Sequence, residues 1–328
     1  MSPDPATLST RAQHCLAELG WTTWTQGDVL GWGSHNSATH VLNEDQQEAV
    51  LLVEHDRTLL PYPAGCPDGL SHLESGVQIR HVLGQAGMAV PQTIVPPNTW
   101  SGGTAMVLSR VPGRDVGQWL AEQRPMDARK LGKEVAHLVS RSGVLGQADP
   151  AHATGCGRHL YGSPGPHQSC LEAFHAWIAP LRGLRHDVGM RLGHLEWRAW
   201  LWLRRVERKT LIWDVGDRNV MLEDTPQGLR VAGLVDQVDL WSGDPMFVPG
   251  ACWALFGDLG GGDSLAYEAG WHDAWEQHAG QWRRAHLWRV GTLARQLGKA
   301  WRKEGSPPAA QLAQWMAACD QLLEEGDL

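Results

Sequence analysis

Asp214 and Asn219 stand five residues apart across the turn Val215-Gly216-Asp217-Arg218, and Asp236 ends the apolar run Val231-Ala232-Gly233-Leu234-Val235. Two carboxylates and one amide oxygen are hard ligands of the kind that hold a divalent cation beside a transferable group. The chemistry this set suggests is phosphoryl transfer, in which the protein mainly positions groups and neutralises charge. A carboxylate at Asp214 suits a hydroxyl acceptor, because the proton moves late in a loose transition state and a strong base is not needed. Taken alone, each residue has a plainer reading: Asp214 as a loop cap on backbone amides, Asp236 as a strand-end residue satisfying turn amides. The two together, in register, favour chemistry. Asp217 and Asp239 lie close in sequence and are secondary candidates.

Such groups need strands and tight turns to hold them. An opening helix spans about residues 7–19 and is closed by Gly20. The run Val29 to Leu42 reads as a strand, a Gly-x-Gly-Ser turn through Gly31, Gly33 and Ser34, and a second strand. Asn43-Glu44-Asp45 is a polar hairpin turn leading to a third strand, Ala49 to Val53. A Pro/Gly-rich loop from Pro61 to Gly69 precedes a helix from about Ser71 to Gln85, stopped at Gly87. Strands follow near Gln92–Val95 and at Thr104–Arg110, separated by a turn at Asn98–Gly103 and ended by Pro112-Gly113. The order β-β-β-α-β-β closes a small lobe, residues 1–108, leaving 109–328 as a second, mainly helical lobe.

In that second lobe helices are expected at about 115–123, 127–142, 169–180 and 190–207, with a Gly/Pro/His-rich loop from Asp149 to Gln168. The two strands around Asp214 and Asp236 form a hairpin through Asp224–Gly228. Helices resume after Pro249, with breaks at Gly260-Gly261-Gly262 and Ser306-Pro307-Pro308.

Composition excludes several classes. The 328-residue chain carries a net charge of −8, against the basic face of a nucleic-acid binder. No signal-peptide pattern and no membrane-length apolar run is present, so a cytoplasmic protein is expected. The six cysteines show no Cys-x-x-Cys pair, and the sixteen histidines no His-x-x-x-His spacing, which argues against a disulfide frame or a zinc site. Eighteen tryptophans beside three Phe and three Tyr point to a Trp-filled core. Trp197, Trp200 and Trp202 are expected within it.

The order of these pieces resembles the protein-kinase-like fold, and more narrowly the aminoglycoside phosphotransferase family, from about Leu30 to Ala254. That family's catalytic loop reads His-Gly-Asp-x-x-x-x-Asn; here Ile212-Trp213-Asp214 and Asn219 align with it. The metal-binding strand end, usually Ile-Asp-Trp, is present as Val235-Asp236-Gln237, and the later Gly-Asp-Pro as Gly243-Asp244-Pro245. The resemblance implies an α+β, two-lobed fold with a β-rich nucleotide-binding lobe and a helical catalytic lobe. It implies Asp214 as the group that orients or deprotonates the acceptor hydroxyl, and Asn219 and Asp236 as Mg²⁺ ligands. Gly31, Gly33, Ser34, His35 and Asn36 would lie along the phosphates of ATP or GTP, and Leu108 to Arg110 would form the hinge beside the base. Asp244 would brace the catalytic loop. Partners are then a nucleotide and a small hydroxylated substrate, with no nucleic acid and no membrane.

The chain departs from the family at three points. The lysine usual on the third strand, which contacts phosphates and pairs with a helix glutamate, is replaced at the aligned position by Leu52, and no lysine precedes Lys130. His55 or Arg57 would have to reach inward in its place, and Glu74, on the following helix, is the candidate partner glutamate. Ile212 replaces the loop histidine, and Gly216-Asp217-Arg218 replaces His-Pro-Gly. Two functions follow: a small-molecule kinase, or a pseudokinase-like nucleotide- or ligand-binding protein without efficient turnover.

Overall fold

The structure, a computed structural model, describes residues 4–32, 36–54, 72–122, 126–140, 169–184, 186–207, 209–212, 214–236, 240–256, 263–275 and 279–324. Helix α1 (Pro5–Glu18) opens on Asp4, whose carboxylate accepts from the Thr7 N–H at 2.9 Å and so satisfies one of the amides a helix start leaves unpaired. Five strands then form one antiparallel sheet in the order β1-β2-β3-β5-β4. They are β1 (Thr25–Trp32), β2 (Asn36–Leu42), β3 (Glu48–Glu54), β4 (Thr93–Trp100) and β5 (Gly103–Ser109), with helix α2 (His72–Gln85) between β3 and β4.

Side chains alternate across a strand, so the central β3, Ala49-Val50-Leu51-Leu52-Val53, buries both of its faces. Ala49, Leu51 and Val53 join Val41, Ala105 and Val107 beneath Ala12, Cys15 and Leu16 of α1. Leu52 turns the other way and packs with Leu73 of α2 and with Met106 and Leu108 of β5; Ala38, Val50 and Val77 extend this second cluster. Strand β4 runs through Pro96 and Pro97 to Trp100, where the sequence suggests a turn from Asn98. It is an edge strand with register irregularities before and across the prolines, the setting in which a strand tolerates residues that cannot donate.

The second lobe begins with the short β6 (Arg114–Asp115), α3 (Val116–Ala121) and α4 (Ala128–Ser140). Helices α5 (Cys170–Ile178) and α6 (His186–Leu203) follow, joined by a 3₁₀ turn at Ala179–Gly183. Then come β7 (Lys209–Ile212), the hairpin β8 (Val220–Thr225) and β9 (Gly228–Leu234), and β10 (Leu240–Gly243). Helices α7 (Phe247–Phe256), α8 (Ser264–Ala274), α9 (Ala279–Glu304) and α10 (Ala309–Glu324) complete it. Its core holds an aromatic knot in which Phe174, Trp177 and Phe247 surround Trp288 with ring centroids 5.4–6.0 Å away. Nearby, Glu268 lies 3.1 Å from His286 Nε2 and 3.9 Å from Arg289 Nη1.

The expected hairpin forms between β8 and β9. Strand β7, however, does not join it: β7 pairs with β10, Leu211 opposite Trp241 and Lys209 opposite Gly243. The tryptophan expectation is corrected at two positions. Trp197 and Trp200 are 57% and 42% exposed and stack on each other at 5.3 Å, with Arg204 4.0 Å over Trp200. Helical periodicity puts both opposite the face that α6 buries through Val188, Leu192, Leu195, Ala199 and Leu203. Trp202 does pack on the core. Among the described residues no helix is long and apolar enough to cross a membrane. Cys15, Cys170, Cys252 and Cys319 are buried cysteines.

Candidate active site

The loop carrying Asp214 hangs between two anchors. On its N-terminal side Leu211 and Ile212 of β7 are buried, so Ile212 fills apolar space where the family has histidine. One residue beyond Asp214, Val215 is buried and its carbonyl faces Cys252 Sγ at 3.5 Å. Asp214 itself is exposed and adopts a left-handed backbone, φ 54°. Asp236 does the same at φ 58°. This region disfavours side chains with a Cβ, and Asp is among the few residues that tolerate it. Both carboxylates are therefore aimed by backbone conformations that a regular strand or helix would not supply. Gln46, at φ 58° in the β2–β3 turn, shows that the conformation alone marks no site.

Register brings the remaining group in. Val220 opposes Leu234 across the hairpin, and the Val235 N–H donates to the Asn219 carbonyl at 2.8 Å. Asn219 thus sits beside the strand end that delivers Asp236. The Asn219 side-chain amide donates to the Asp214 carbonyl at 2.9 Å, which leaves its Oδ1 as an outward acceptor. Asp236 is open to solvent on one side yet surrounded by protein on the others. That burial, with the negative charge of Asp214, pushes its pKa up to about 6, while Arg80 acts in the opposite direction.

The other predicted residues divide. Gly31 sits at a β1 irregularity opposite Ala38, with open space where a Cβ would be. Asn36 is the first residue of β2, buried and opposite Glu54. Gly33, Ser34 and His35 lie outside the described residues, as do His55, Arg57, Trp213, Asp239 and the loops at 61–69 and 149–168. Leu108 is buried on the Leu52 face of the sheet, and Arg110 is tied to Glu48 by a salt bridge. The connector ends at Gly113, φ 97°, where a Cβ would lie 2.1 Å from the Leu222 carbonyl oxygen. Asp217 has Arg218 and Asp115 as its charge neighbours, and burial raises its pKa; its carbonyl accepts from Val116 at the start of α3. Asp244 is fully buried and accepts from Arg284 Nε at 2.9 Å, Trp288 Nε1 at 3.0 Å and the Met246 N–H at 3.0 Å. It fixes the end of β10, and through that strand β7, to α9.

Two cations escape the sequence reading. Arg80 of α2 is buried, and its charge acts on Asp236. Lys299 of α9 feels the charge of Asp214; burial, Arg295 and Arg302 bring its pKa down to about 8 against that attraction. Helical spacing places 295, 299 and 302 along one stripe of α9. Among the described residues no group of three or more His, Cys, Asp or Glu side chains is arranged to hold a metal ion.

No family model matches the chain, and no curated protein matches it. Solved structures do. The GDP and kanamycin complex of APH(2")-IIia is 15% identical over 96% of this chain and 97% of that one, with a TM-score of 0.61. The GDP complex of wild-type aminoglycoside 2'-phosphotransferase-IIIa is 14% identical over 96% and 98%, with a TM-score of 0.63. A thermostable mutant of aminoglycoside phosphotransferase APH(4)-Ia, in ternary complex with ADP and hygromycin B, gives 14%, 96%, 98% and 0.63. Likeness at this identity is likeness of fold. The chain has the two-lobed, protein-kinase-like α+β fold of the aminoglycoside phosphotransferases.

Proposed function

We propose that the chain is a phosphotransferase that moves a phosphoryl group from ATP or GTP to a hydroxyl of a small molecule, with Mg²⁺ as cofactor. The observation that carries this reading is the convergence of Asp214, Asn219 and Asp236, joined through the 2.9 Å and 2.8 Å bonds of Asn219. Asp214 is the exposed carboxylate that accepts the hydrogen bond of the acceptor hydroxyl and receives its proton. Asn219 Oδ1 and the Asp236 carboxylate are the oxygen ligands that would hold Mg²⁺. The fit is electrostatic as well as chemical: Asp236 is burdened by burial and by Asp214, a field that a bound cation relieves. Bound there, Mg²⁺ supplies positive charge to the phosphate oxygens.

In the small lobe, residues 1–108, the apolar face of Ala38, Val50, Leu52, Met106 and Leu108 gives a nucleotide base a surface, with the Leu108–Arg110 backbone at its edge. Gly31, Gly33, Ser34, His35 and Asn36 follow the phosphates. The GDP and ADP complexes of the structural neighbours support a nucleotide donor. On the acceptor side the stripe of Arg295, Lys299 and Arg302 opposes the negative net charge of the whole chain. Local charge favours a neutral or anionic hydroxyl compound over a polycation. We place this activity in the cytoplasm.

One observation favours a second reading, a pseudokinase-like nucleotide- or ligand-binding protein without efficient turnover. Leu52, at the lysine position, is 8% exposed inside an apolar cluster. Thermal melts with Mg²⁺ and ATP or GTP test both readings, since a ligand of the folded state raises the melting temperature. No shift at millimolar nucleotide sinks the phosphotransferase reading and leaves the second only with a ligand other than a nucleotide. Turnover over a panel of neutral, anionic and polycationic hydroxyl compounds, with Asp214→Ala as control, separates them. Activity unchanged in that control refutes Asp214 as the base.

A further inference from the structure

The small lobe lacks a lysine, but it does not lack a cation. Arg80 lies in the middle of α2, 3% exposed. Its Nη2 lies 3.2 Å from Met106 Sδ. Met106 stands directly opposite Leu52 in the β3–β5 register, so the guanidinium rests against the strand pair at the place where a lysine at position 52 would extend. The partner it has there is poor. A thioether sulfur is a weak acceptor, whereas a guanidinium carries five donors. Arg80 Nε is buried with no hydrogen-bond partner among the described residues.

A buried cation with unspent donors calls for an anion. The anion nearest by charge is Asp236: each lies in the field of the other. The main chain holds this relation in place. After α2 the Ala89 carbonyl accepts from the Leu234 N–H at 2.9 Å, two residues before Asp236. A Cβ at Gly233 would lie 2.5 Å from the same carbonyl oxygen.

We propose that Arg80 replaces the missing strand lysine: delivered by α2, it faces Asp236 and presents its guanidinium donors to the phosphates of the donor nucleotide. The inference rests on the donor-site reading above. A charge contributed by a helix in place of a strand leaves Leu52 free to complete the apolar face. An arginine, moreover, suits phosphate better than a point charge does, because its planar fork donates in pairs.

The test is calorimetric titration of the full-length protein with Mg·ADP, alongside melts without ligand. Arg80→Met is expected to bind about ten- to a hundredfold more weakly, the usual cost of a charged hydrogen bond, while its ligand-free melting temperature holds or rises, because an unpaired buried charge is gone. Arg80→Lys is expected to stay within about tenfold of the wild type, since the charge is kept and only the fork is lost. Adding Leu52→Lys to Arg80→Met is expected to restore part of the affinity by returning the charge through β3. Arg80→Met binding as tightly as wild type overturns the proposal. So does affinity that falls only in proportion to folded protein and is not restored by Leu52→Lys. If Arg80→Met does not fold, Arg80→Gln against Arg80→Lys decides: equal affinities overturn the proposal, and binding kept only in the lysine variant supports it. A wild-type protein that binds no nucleotide overturns the donor-site reading itself, and the role of Arg80 with it; normal wild-type binding with an indifferent Arg80→Met overturns the role of Arg80 alone.

Discussion

The side chain of Asn219 holds the backbone of Asp214: its amide donates to the Asp214 carbonyl at 2.9 Å, while its own carbonyl accepts from Val235, the residue before Asp236. One residue therefore links two carboxylates that lie beyond the ends of different strands, β7 and β9. Asn219→Ala removes both a proposed metal ligand and this tie. Turnover is expected to fall about ten- to a hundredfold, by analogy with the loss of groups that orient metal ligands. Stability changes by only about 1 kcal/mol, because the bond is partly exposed. Steady-state rates and denaturant melts of the same preparation read the two effects separately.

Asp236 ties stability to pH in one direction. Its folded-state pKa is raised from 3.8 to about 6, so between those values the folded protein holds a proton that the unfolded chain has released. The stability contributed by this group is present below about pH 4 and is lost as pH rises through about 6. Asp236→Asn is expected to stabilise the ligand-free protein above pH 6 by roughly 1 kcal/mol, a modest figure because the carboxyl keeps a solvent-facing side. If Mg²⁺ is held there as proposed, the same variant is expected to lose the Mg²⁺ dependence of nucleotide binding, and wild-type binding is expected to weaken as pH drops below about 6, where protons compete for the carboxylate. Melts and titrations from pH 5 to pH 8 check each trend.

Glu268 runs the opposite way. Burial alone would raise its pKa, but the imidazoles of His272 and His286 and the charge of Arg289 outweigh it and hold the carboxyl at about 2, from 4.5. Here the unfolded chain takes up the proton first. The contribution is full above 4.5 and is lost as pH falls toward 2. Glu268→Gln is expected to cost about 2 to 3 kcal/mol at pH 7 and progressively less as pH approaches 3. Urea unfolding at both ends of the range measures the difference.

Asp244→Ala strands Arg284 and the Trp288 indole N–H around a fully buried gap. Breaking such a pair by removing one partner costs about 3 to 5 kcal/mol. Since β10 carries the consequence to β7, activity measured well below the new melting temperature is also expected to fall.

Much of this was legible in the chain. Apolar alternation gave the small-lobe strands, and the Asp224–Gly228 turn gave the hairpin whose register joins Asn219 to the end of β9. What escaped depends on contacts between distant segments. Nothing local tells that β7 leaves the hairpin for β10, because four apolar-rich residues suit either partner. Arg80 occupies an ordinary place in a helical pattern, and only the packing of α2 on β5 turns it inward. The face that Trp197 and Trp200 occupy was readable from helical spacing, but their aromatic character argued for the core.

The contact of Ala89 with Gly233 and Leu234 is made by main-chain atoms on both sides. A joint of that kind is blind to side-chain identity at the exposed Ala89, whereas Leu234 is held as well by its fully buried side chain. The glycine is constrained by the 2.5 Å that leaves no room for a methyl group. Architecture held by backbone in this way asks little of the side chains, and a chain only 15% identical to a structural neighbour folds along nearly its whole length as that neighbour does.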